Sequence, residues 1–412
     1  MERVVITGMG VVSPLGNTVD SFWNQLINGK SGISLIDTFD VSRHKSKIAG
    51  LVRDFDPDAL LGRKEARRMD RFCQFAVVAA HQALQDSGLS LEQMNRERLG
   101  VFVGSGVGGI QTLLGQDTVI RERGPARVSP TLVPMMISNM AAAMISIAFG
   151  ASGPTMSPVT ACSIGNTSIG EAFRLIRSGG ADAVFAGGAE AAVTEISLAS
   201  FGNATALSVQ NEEPSRASRP FDARRDGFVM AEGAGVLLLE SLTHALRRDA
   251  PIYAEVIGYG ASSDAYHMVA THPEGIGAYQ AMKLAIQEAG IAPNQVDVIS
   301  AHATSTEVGD RSETLAIKRL FGDDAYRIPI TANKSMTGHL LGAASAVEAI
   351  GLVKTLQQNI IPPTINQEEN DPECDLDYVP NTAREASLSI GLSNSFGFGG
   401  HNAVIVLKAY NQ

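Results

Sequence analysis

Apolar positions along the chain form two successive rounds of strands and helices. Continuous apolar runs predict strands covered on both faces, and apolar residues three to four positions apart predict helices. The first round places strands at 4–7, 99–104, 183–186 and 235–240, and helices at 70–87 and 164–178. The second round places strands at 252–259, 296–301, 388–392 and 403–407, and helices at 278–289 and 341–356. Because both rounds follow the same order, the sequence predicts an internal repeat.

This repeat predicts an α/β fold built as a layered sandwich. The helices at 164–178 and 341–356 are rich in glycine, alanine and serine, which lets helices pack closely and be covered on every side. We expect these two helices to lie between two mixed sheets, with other helices outside. The N-terminal half spans residues 1–250 and carries an insertion at 105–158, and the C-terminal half spans 251–412. No linker separates the halves, so we expect one body.

Composition limits the classes of protein that fit. The 412 residues are 44% hydrophobic and 18% charged, against roughly 25% charged in an average soluble protein. A net charge of −10 argues against nucleic acid or an anionic membrane as the main partner. The three cysteines are too few, and odd in number, for a disulfide scaffold. With no signal peptide in the N-terminal residues, we expect a cytoplasmic protein.

One long segment carries no charge. Residues 128–170 contain no Asp, Glu, Lys, Arg or His, and the apolar portion 132–149 is long enough to raise the question of a membrane span. Pro134, Ser138 and Asn139 interrupt that portion. We therefore expect the segment to be buried within the protein or at a subunit interface.

Two adjacent residues are candidate nucleophiles. Cys162 follows a predicted short strand at 157–160 and precedes the helix that starts near Ile164. A helix N-terminus lowers the pKa of a thiol and can hold an oxyanion, so a cysteine there is suited to nucleophilic attack. The run from Ala161 to Gly165 also resembles the G-x-S-x-G elbow with alanine in the first place. Ser163 is therefore a rival nucleophile, and its function would be that of a serine hydrolase.

Two histidines occupy distinctive places in the second repeat. His302 ends the central strand, and His339 stands at the start of the small-residue helix, in the place that the repeat gives to Cys162 in the first half. This symmetry predicts that Cys162 and His339 meet at strand ends, where α/β proteins place their sites. No pair of cysteines or histidines has the spacing of metal ligands, so no metal site is expected.

Four segments together resemble a known family. Residues 160–162, 301–306, 334–339 and 394–400 are similar to the successive motifs of the β-ketoacyl-[acyl-carrier-protein] synthases, most closely the type II synthases of bacterial fatty acid synthesis. The resemblance covers the whole chain. It implies the thiolase fold, an internally duplicated αβαβα sandwich, usually as a homodimer.

The resemblance also implies an acyltransferase. The reaction would be the decarboxylative Claisen condensation of malonyl-[acyl-carrier-protein] with a Cys-bound acyl chain, giving a 3-oxoacyl-[acyl-carrier-protein] in fatty acid elongation. The implied partner is an acyl carrier protein with its malonyl and acyl thioesters. No cofactor is implied, and a structural monovalent cation stays open. A ketosynthase of a discrete polyketide pathway is the alternative within the same chemistry.

Residue roles follow from the same resemblance. The family's Cys-His-His set corresponds to Cys162, His302 and His339, with Lys334 and Glu348 as supporting charges. A thiolate would accept the acyl chain as a thioester, and two neutral imidazoles would donate hydrogen bonds to the enolate that forms when malonyl loses carbon dioxide.

Substrate-binding roles are implied in the same way. Thr304 and Thr306 would bind the pantetheine arm, Phe398 would gate access to the nucleophile, and Val107 would line the acyl pocket. Backbone N–H groups of Cys162 and Phe398 would hold the tetrahedral oxyanion. Three positions depart from the usual family pattern, with consequences for preferred chain length and pantetheine binding: Ala303, Ile164 and Val269.

An acidic carrier needs a basic patch on a chain of net charge −10. Basic residues recur at i, i+3, i+4 and i+7 within residues 62–75, which on one helix would form a single stripe. Two arginines before the uncharged segment would extend it. The predicted carrier-docking residues are Lys64, Arg67, Arg68, Arg71, Arg123 and Arg127.

Overall fold

The computed structural model describes residues 1–410. It has fourteen strands and fourteen α-helices. The strands are β1 (Val4–Val12), β2 (Ile33–Leu35), β3 (Ile48–Gly50), β4 (Leu99–Gly104), β5 (Thr155–Met156), β6 (Ala183–Glu190), β7 (Gly233–Ser241), β8 (Ala254–Ser263), β9 (Val298–Ser300), β10 (Ile330–Thr331), β11 (Ile360–Ile361), β12 (Arg384–Glu385), β13 (Ile390–Gly397) and β14 (His401–Ala409).

The helices range from single turns to seventeen residues. They are α1 (Val19–Ile27), α2 (Pro57–Leu61), α3 (Arg63–Ala66), α4 (Arg71–Ser87), α5 (Ile110–Arg123), α6 (Leu132–Met136), α7 (Met140–Phe149), α8 (Ile164–Arg177), α9 (Glu195–Asn203), α10 (Leu242–Arg247), α11 (Ile276–Ala289), α12 (Glu307–Phe321), α13 (Lys334–Thr337) and α14 (Ala344–Gln358).

The strand order confirms the internal repeat. Ten strands run in the order β10-β9-β13-β14-β8-β1-β7-β6-β4-β5. Read from either outer edge toward the centre, the first two neighbouring pairs are parallel and the next two are antiparallel. We call β1 and β4–β7 the first sheet half, and β8–β10, β13 and β14 the second sheet half. The two halves meet where β1 pairs with β8 over three residue pairs, so the two predicted sheets join edge to edge.

Helices cover this sheet in the predicted layers. The central pair, α8 and α14, contacts strands of both halves, whereas α4 packs outside the first half and α11 outside the second. Close packing of the central pair needs small residues: a Cβ on Gly165 would lie 2.2 Å from the backbone nitrogen of Ala346. The α/β class and the thiolase-like layering are therefore confirmed. The domain boundary after residue 250 stays a prediction.

Some predicted elements differ from those observed. Residues 157–160, predicted as a short strand, form none, and the strand of this region is β5, two residues earlier in the chain. The helix predicted from Leu341 starts with a 3₁₀ turn at Leu341–Ala343 before α14 begins. Both cases lie beside the site described below. Local periodicity cannot report these irregular turns, because contacts between distant segments decide them.

The uncharged segment is only half buried in the single chain. Ala141 and Ile145 of α7 lie in the core, but the side chains of Val133, Ile147 and Val159 are exposed. Of the two predicted alternatives for this segment, burial within one chain accounts for only part of it, and burial at a subunit interface stays a prediction for the rest. Among residues 1–410, no helix is long and apolar enough to cross a membrane. All three cysteines are free and buried.

Candidate active site

A strained turn at the start of α8 presents Cys162. Ala161 has a φ of 51°, and the 3₁₀ turn Ala161–Ser163 leads directly into the helix. The end of β13 presses against this turn, since a Cβ on Gly397 would lie 2.7 Å from the carbonyl oxygen of Thr160. The Ser395 hydroxyl donates to the carbonyl oxygen of Cys162 at 2.8 Å. These contacts hold the sulfur at the wall of a cavity of about 680 Å³.

Both predicted histidines line the same cavity. Nε2 of His339 lies 3.0 Å from Sγ of Cys162. The rings of His302 and His339 are edge to face, with centroids 5.6 Å apart. The backbone N–H of His339 donates to the carbonyl oxygen of Val229 at 2.7 Å, which anchors the turn that carries it. The fold thus brings together the three residues that the sequence singled out.

Burial controls the charge state of this trio. It raises the pKa of Cys162 to about 11, although nearby Lys334 and the Phe398 N–H oppose the rise. Burial, and after it the positive charge of Lys334, holds the pKa of His302 and His339 well below 6.5. At pH 7 the imidazoles are neutral and the resting sulfur is a thiol. Loss of solvent therefore shifts the pKa of this thiol in the direction opposite to the expected lowering.

Lys334 and Glu348 form a buried ion pair behind the histidines. Nζ of Lys334 lies 2.5 Å from Oε1 of Glu348 and donates to the carbonyl oxygen of His302 at 2.6 Å. Burial raises the pKa of Glu348 to about 7, and Lys334 opposes that rise. The pair is outside the cavity lining. Its place fits a supporting charge that fixes His302.

Sequence analysis missed Glu313. This buried carboxylate on α12 accepts the backbone N–H groups of His302 and Ala303 at 2.9 and 2.8 Å, and the Asn394 amide at 3.0 Å. Ala303 has a φ of 34°, a strained value for a residue with a side chain. The carboxylate therefore holds the turn after β9 in place. The only feature of the sequence that could have indicated this role is an acidic residue on the buried face of α12, and the sequence did not predict that helix.

The predicted substrate-binding residues all reach the cavity. Thr304 and Thr306 line it with their hydroxyl oxygens 3.0 Å apart. Val107 and Phe398 line it too and keep 40% and 37% of their surface exposed. Val269, one of the departures from the family pattern, also lines the cavity. Phe398 packs against Phe201, with ring centroids 6.1 Å apart.

The comparisons with known proteins agree with this geometry. Residues 1–245 match the model of the β-ketoacyl synthase N-terminal domain, and residues 253–368 match that of the C-terminal domain. The chain belongs to the β-ketoacyl synthase family. Over 409 residues, this synthase is 49% identical to 3-oxoacyl-[acyl-carrier-protein] synthase 2 of Synechocystis sp., covering 99% of this chain and 98% of the relative. The enzyme of the same name from Staphylococcus aureus is 47% identical, covering 99% of each.

Solved structures show the same fold. A β-ketoacyl synthase from Burkholderia phymatum superposes with a TM-score of 0.93 at 35% identity, covering 100% of both chains. A ketosynthase complex with a type II polyketide acyl carrier protein, bound to a hexaketide, matches with a TM-score of 0.91 at 37% identity and covers 100% of both chains.

Ser163 is not the nucleophile of this synthase. Its hydroxyl is fully buried and donates to the carbonyl oxygens of Ser395 and His401 at 3.0 and 2.6 Å. It is outside the cavity lining, whereas the preceding cysteine is part of it. The serine hydrolase alternative is therefore wrong. The elbow-like spacing is a property of the turn, and the neighbouring strands decide which side chain faces the cavity.

The predicted basic stripe of the synthase is interrupted. Helix α3 ends at Ala66, the chain turns, and α4 begins only at Arg71. Arg71 faces inward, where it pairs with Glu232 at 2.9 Å and stacks over the ring of Phe75. Arg71 thus differs from the other predicted docking residues, because it is half buried and completes an ion pair, and its docking role stays a prediction. The other predicted docking residues are exposed: Lys64, Arg67, Arg68, Arg123 and Arg127.

No group of three His, Cys, Asp or Glu side chains within residues 1–410 of the synthase is arranged to hold a metal ion.

Proposed function

We propose that this synthase condenses malonyl-[acyl-carrier-protein] with an acyl chain held on Cys162, releasing carbon dioxide and forming 3-oxoacyl-[acyl-carrier-protein]. One observation carries the proposal. Sγ of Cys162, 3.0 Å from Nε2 of His339, shares a single cavity with the ring of His302. The cavity thus brings together a nucleophile, two neutral imidazoles and space for a long substrate.

The first half-reaction is acyl transfer. Sγ of Cys162 attacks the carbonyl carbon of the acyl-carrier thioester, and the tetrahedral oxyanion accepts the backbone N–H groups of Cys162 and Phe398. Collapse breaks the bond to the carrier sulfur. The thiol proton passes to that sulfur by way of His339, which leaves an acyl thioester on the enzyme and a free carrier thiol.

The second half-reaction uses malonyl thioester. Loss of carbon dioxide leaves an enolate, so no base has to remove a proton from carbon. His302 and His339 donate hydrogen bonds to the enolate oxygen through ring N–H groups, and their lowered pKa keeps both rings neutral. The enolate carbon attacks the acyl carbon on Cys162. The sulfur leaves, takes up one proton and is ready for the next cycle.

Supporting residues have separate tasks in this proposal. Thr304 and Thr306 bind the pantetheine arm, Phe398 gates the cavity and Val107 lines the acyl pocket. The buried Lys334–Glu348 pair keeps His302 in place through its carbonyl oxygen. Removal of either charge alone would leave the other uncompensated in the interior.

Fatty acid elongation is the pathway we propose. The relatives named 3-oxoacyl-[acyl-carrier-protein] synthase 2 are 47–49% identical to the chain, whereas the polyketide ketosynthase complex is 37% identical. A polyketide ketosynthase remains the second candidate. The test supplies purified enzyme with malonyl carrier and with saturated acyl carriers or β-keto chains. Elongation confined to β-keto chains would contradict the fatty acid assignment.

The carrier itself is the proposed partner, docking on the exposed basic residues Lys64, Arg67 and Arg68, with Arg123 and Arg127 beside them. All five are exposed on a chain of net charge −10. A local basic surface lowers the repulsion that an acidic carrier would meet elsewhere on the chain.

We also propose a homodimer, formed by a second copy against β5. This strand ends the ten-strand sheet, and both of its residues are exposed. Around it the uncharged segment leaves apolar side chains in solvent: Val133, Ile137, Ile147, Met156 and Val159. An unpaired edge strand among uncharged apolar residues is suited to pairing with its own copy. Sedimentation should give a dimer for the native chain and a shift toward monomer for Met156→Asp. A cytoplasmic location stays a prediction.

A further inference from the structure

Glu190 is a buried carboxylate with no part in the mechanism above. It ends β6, is fully buried and lines the catalytic cavity. Oε1 accepts the Ser105 hydroxyl at 2.8 Å and the Val107 N–H at 3.1 Å. Oε2 accepts the N–H groups of Gly106 and Gly342 at 2.9 and 3.1 Å. Four hydrogen bonds thus converge on one carboxyl group.

The contacts of Glu190 suit its ionised form. Three donors are backbone N–H groups, which cannot accept a proton from the carboxyl group, and the Ser105 hydroxyl, which accepts the N–H of Gly108 at 3.0 Å, donates to it. A carboxyl proton would meet a donor at either oxygen. Burial raises the pKa of Glu190 above its usual value, and the four hydrogen bonds oppose that rise without cancelling it. Within residues 1–410, no Lys, Arg or His forms an ion pair with this carboxylate, so neutral donors alone compensate its charge.

These donors come from two separate turns that both line the cavity. The Ser105–Val107 turn follows β4 in the first sheet half, whereas Gly342 belongs to the 3₁₀ turn that leads into α14 after His339. The turns are close: a Cβ on Gly342 would lie 2.7 Å from Oε2 of Glu190 and 2.9 Å from the N–H nitrogen of Gly106. The carboxylate therefore links the turn that carries Val107 to the turn beside His339 through hydrogen bonds.

We propose that Glu190 is a positioning residue that sets the width of the acyl pocket and thereby the discrimination among acyl chain lengths. This inference rests on the proposed function, because it assigns the Val107 side of the cavity to the acyl chain. Without the carboxylate, four donors lose their acceptor and the turn carrying Val107 is free to move. A pocket with a mobile wall binds long and short chains more nearly alike.

Two substitutions separate the effect of the negative charge of Glu190 from the effect of its side-chain length. Glu190→Gln keeps the length but puts an NH₂ group against two N–H donors. Glu190→Asp keeps the charge but is one methylene too short to bridge both turns. The matched control is Glu240→Gln, which removes an equally buried carboxylate at the far end of β7, where it bonds Thr7 and Arg248.

The experiment measures kcat/KM for a short-chain and a long-chain acyl carrier, and malonyl decarboxylation in parallel. We expect both Glu190 variants to reduce the ratio between preferred and disfavoured chains about tenfold, more than they reduce decarboxylation. Glu240→Gln should leave that ratio unchanged. In Glu190→Gln alone, Cys162 should react faster with iodoacetamide at pH 8, because a negative charge that raises the thiol pKa is gone.

The outcomes distinguish this inference from the proposed function. A native enzyme that condenses no acyl carrier would overturn the proposed function. Native activity with unchanged chain-length ratios in both Glu190 variants would overturn the positioning role alone. Equal losses in decarboxylation and in condensation of every chain length would show that Glu190 only supports the fold, which would also overturn it. Thermal unfolding of all variants identifies any that fail to fold, and Ser105→Ala, which removes a single donor, then carries the test.

Discussion

The two halves of the molecule contain the same backbone motif at the start of their central helices, but they carry different functional groups on it. Each has a residue with positive φ, then a 3₁₀ turn, then a central helix: Ala161 at 51° before α8, and Leu341 at 49° before α14. The residue after the strained position is Cys162 in the first half and Gly342 in the second. The symmetric counterpart of the nucleophile is therefore a glycine whose N–H is bound to Glu190.

His339 lies three residues before that glycine. The prediction that His339 is the counterpart of Cys162 in the repeat is therefore wrong by three residues. The sulfur sits within the turn, where backbone N–H groups converge, whereas the histidine comes from the preceding segment that pairs with Met230. In the proposed mechanism, one half thus presents the atom that reacts, and the other presents neutral side chains to the intermediates. Gene duplication would explain the shared backbone, and only the side chains separate the roles.

The largest expected difference between the two halves appears when the reacting sulfur atom is removed. Cys162→Ala should lower condensation more than about 10³-fold, because no acyl thioester forms. Ser163→Ala, one residue along the same turn, loses two hydrogen bonds to backbone carbonyls and should keep most of its activity. Labelled acyl carrier followed by gel analysis measures enzyme acylation. An active Cys162→Ala protein would overturn the mechanism.

The next largest effect concerns the second half. His302→Ala and His339→Ala should each lower malonyl decarboxylation about 10²- to 10³-fold, the usual result of losing an oxyanion donor. Both should still permit some acyl transfer to the sulfur. Carbon dioxide release and acyl-enzyme formation are measured separately. Persistent decarboxylation with no acyl-enzyme would show that the roles of the two halves are reversed.

A third test asks whether the first half also recognises the carrier. Arg67→Glu combined with Arg68→Glu should raise KM for acyl carriers about tenfold, more at low salt, because like charges then repel over a longer distance. Activity on small acyl-pantetheine thioesters should stay the same. Arg71→Glu is the matched control, since it breaks a buried pair with Glu232 and should lower stability. Equal losses on both substrates in the double variant would contradict docking.

The smallest expected effect is a shift on the pH axis. Because burial lowers the pKa of His302 and His339, the acid limb of decarboxylation should have its midpoint well below pH 6.5. The same shift makes folding less favourable in acid. The unfolded chain takes up protons below pH 6.5 that the folded chain does not, so stability falls as pH drops toward the folded pKa. Urea unfolding at several pH values should show this slope, reduced in His302→Gln. A midpoint at 6.5 would contradict neutral, buried rings.

Side chains that lie against a distant segment could not be placed from the sequence. Glu190 accepts donors at least 83 residues away in the chain, and Glu313 accepts backbone donors 10 and 11 residues away. In both cases the donors belong to turns that no local pattern describes. Arg71 has the spacing of its basic neighbours, and only the end of α3 at Ala66 shows that it faces Glu232. Periodicity indicates which face of a helix or strand is apolar, but it does not indicate which distant segment packs against that face.

The sequence by itself determined the duplicated α/β order, the start of α8 and the choice of Cys162, His302 and His339 as candidate site residues, because apolar spacing and short motifs are local properties of the chain. Only the tertiary structure decided which of two adjacent residues faces the cavity and how close sulfur and imidazole come. It also decided that the thiol pKa rises to about 11. Each of these depends on solvent exclusion and on contacts between the two halves, and both arise only when the chain has folded.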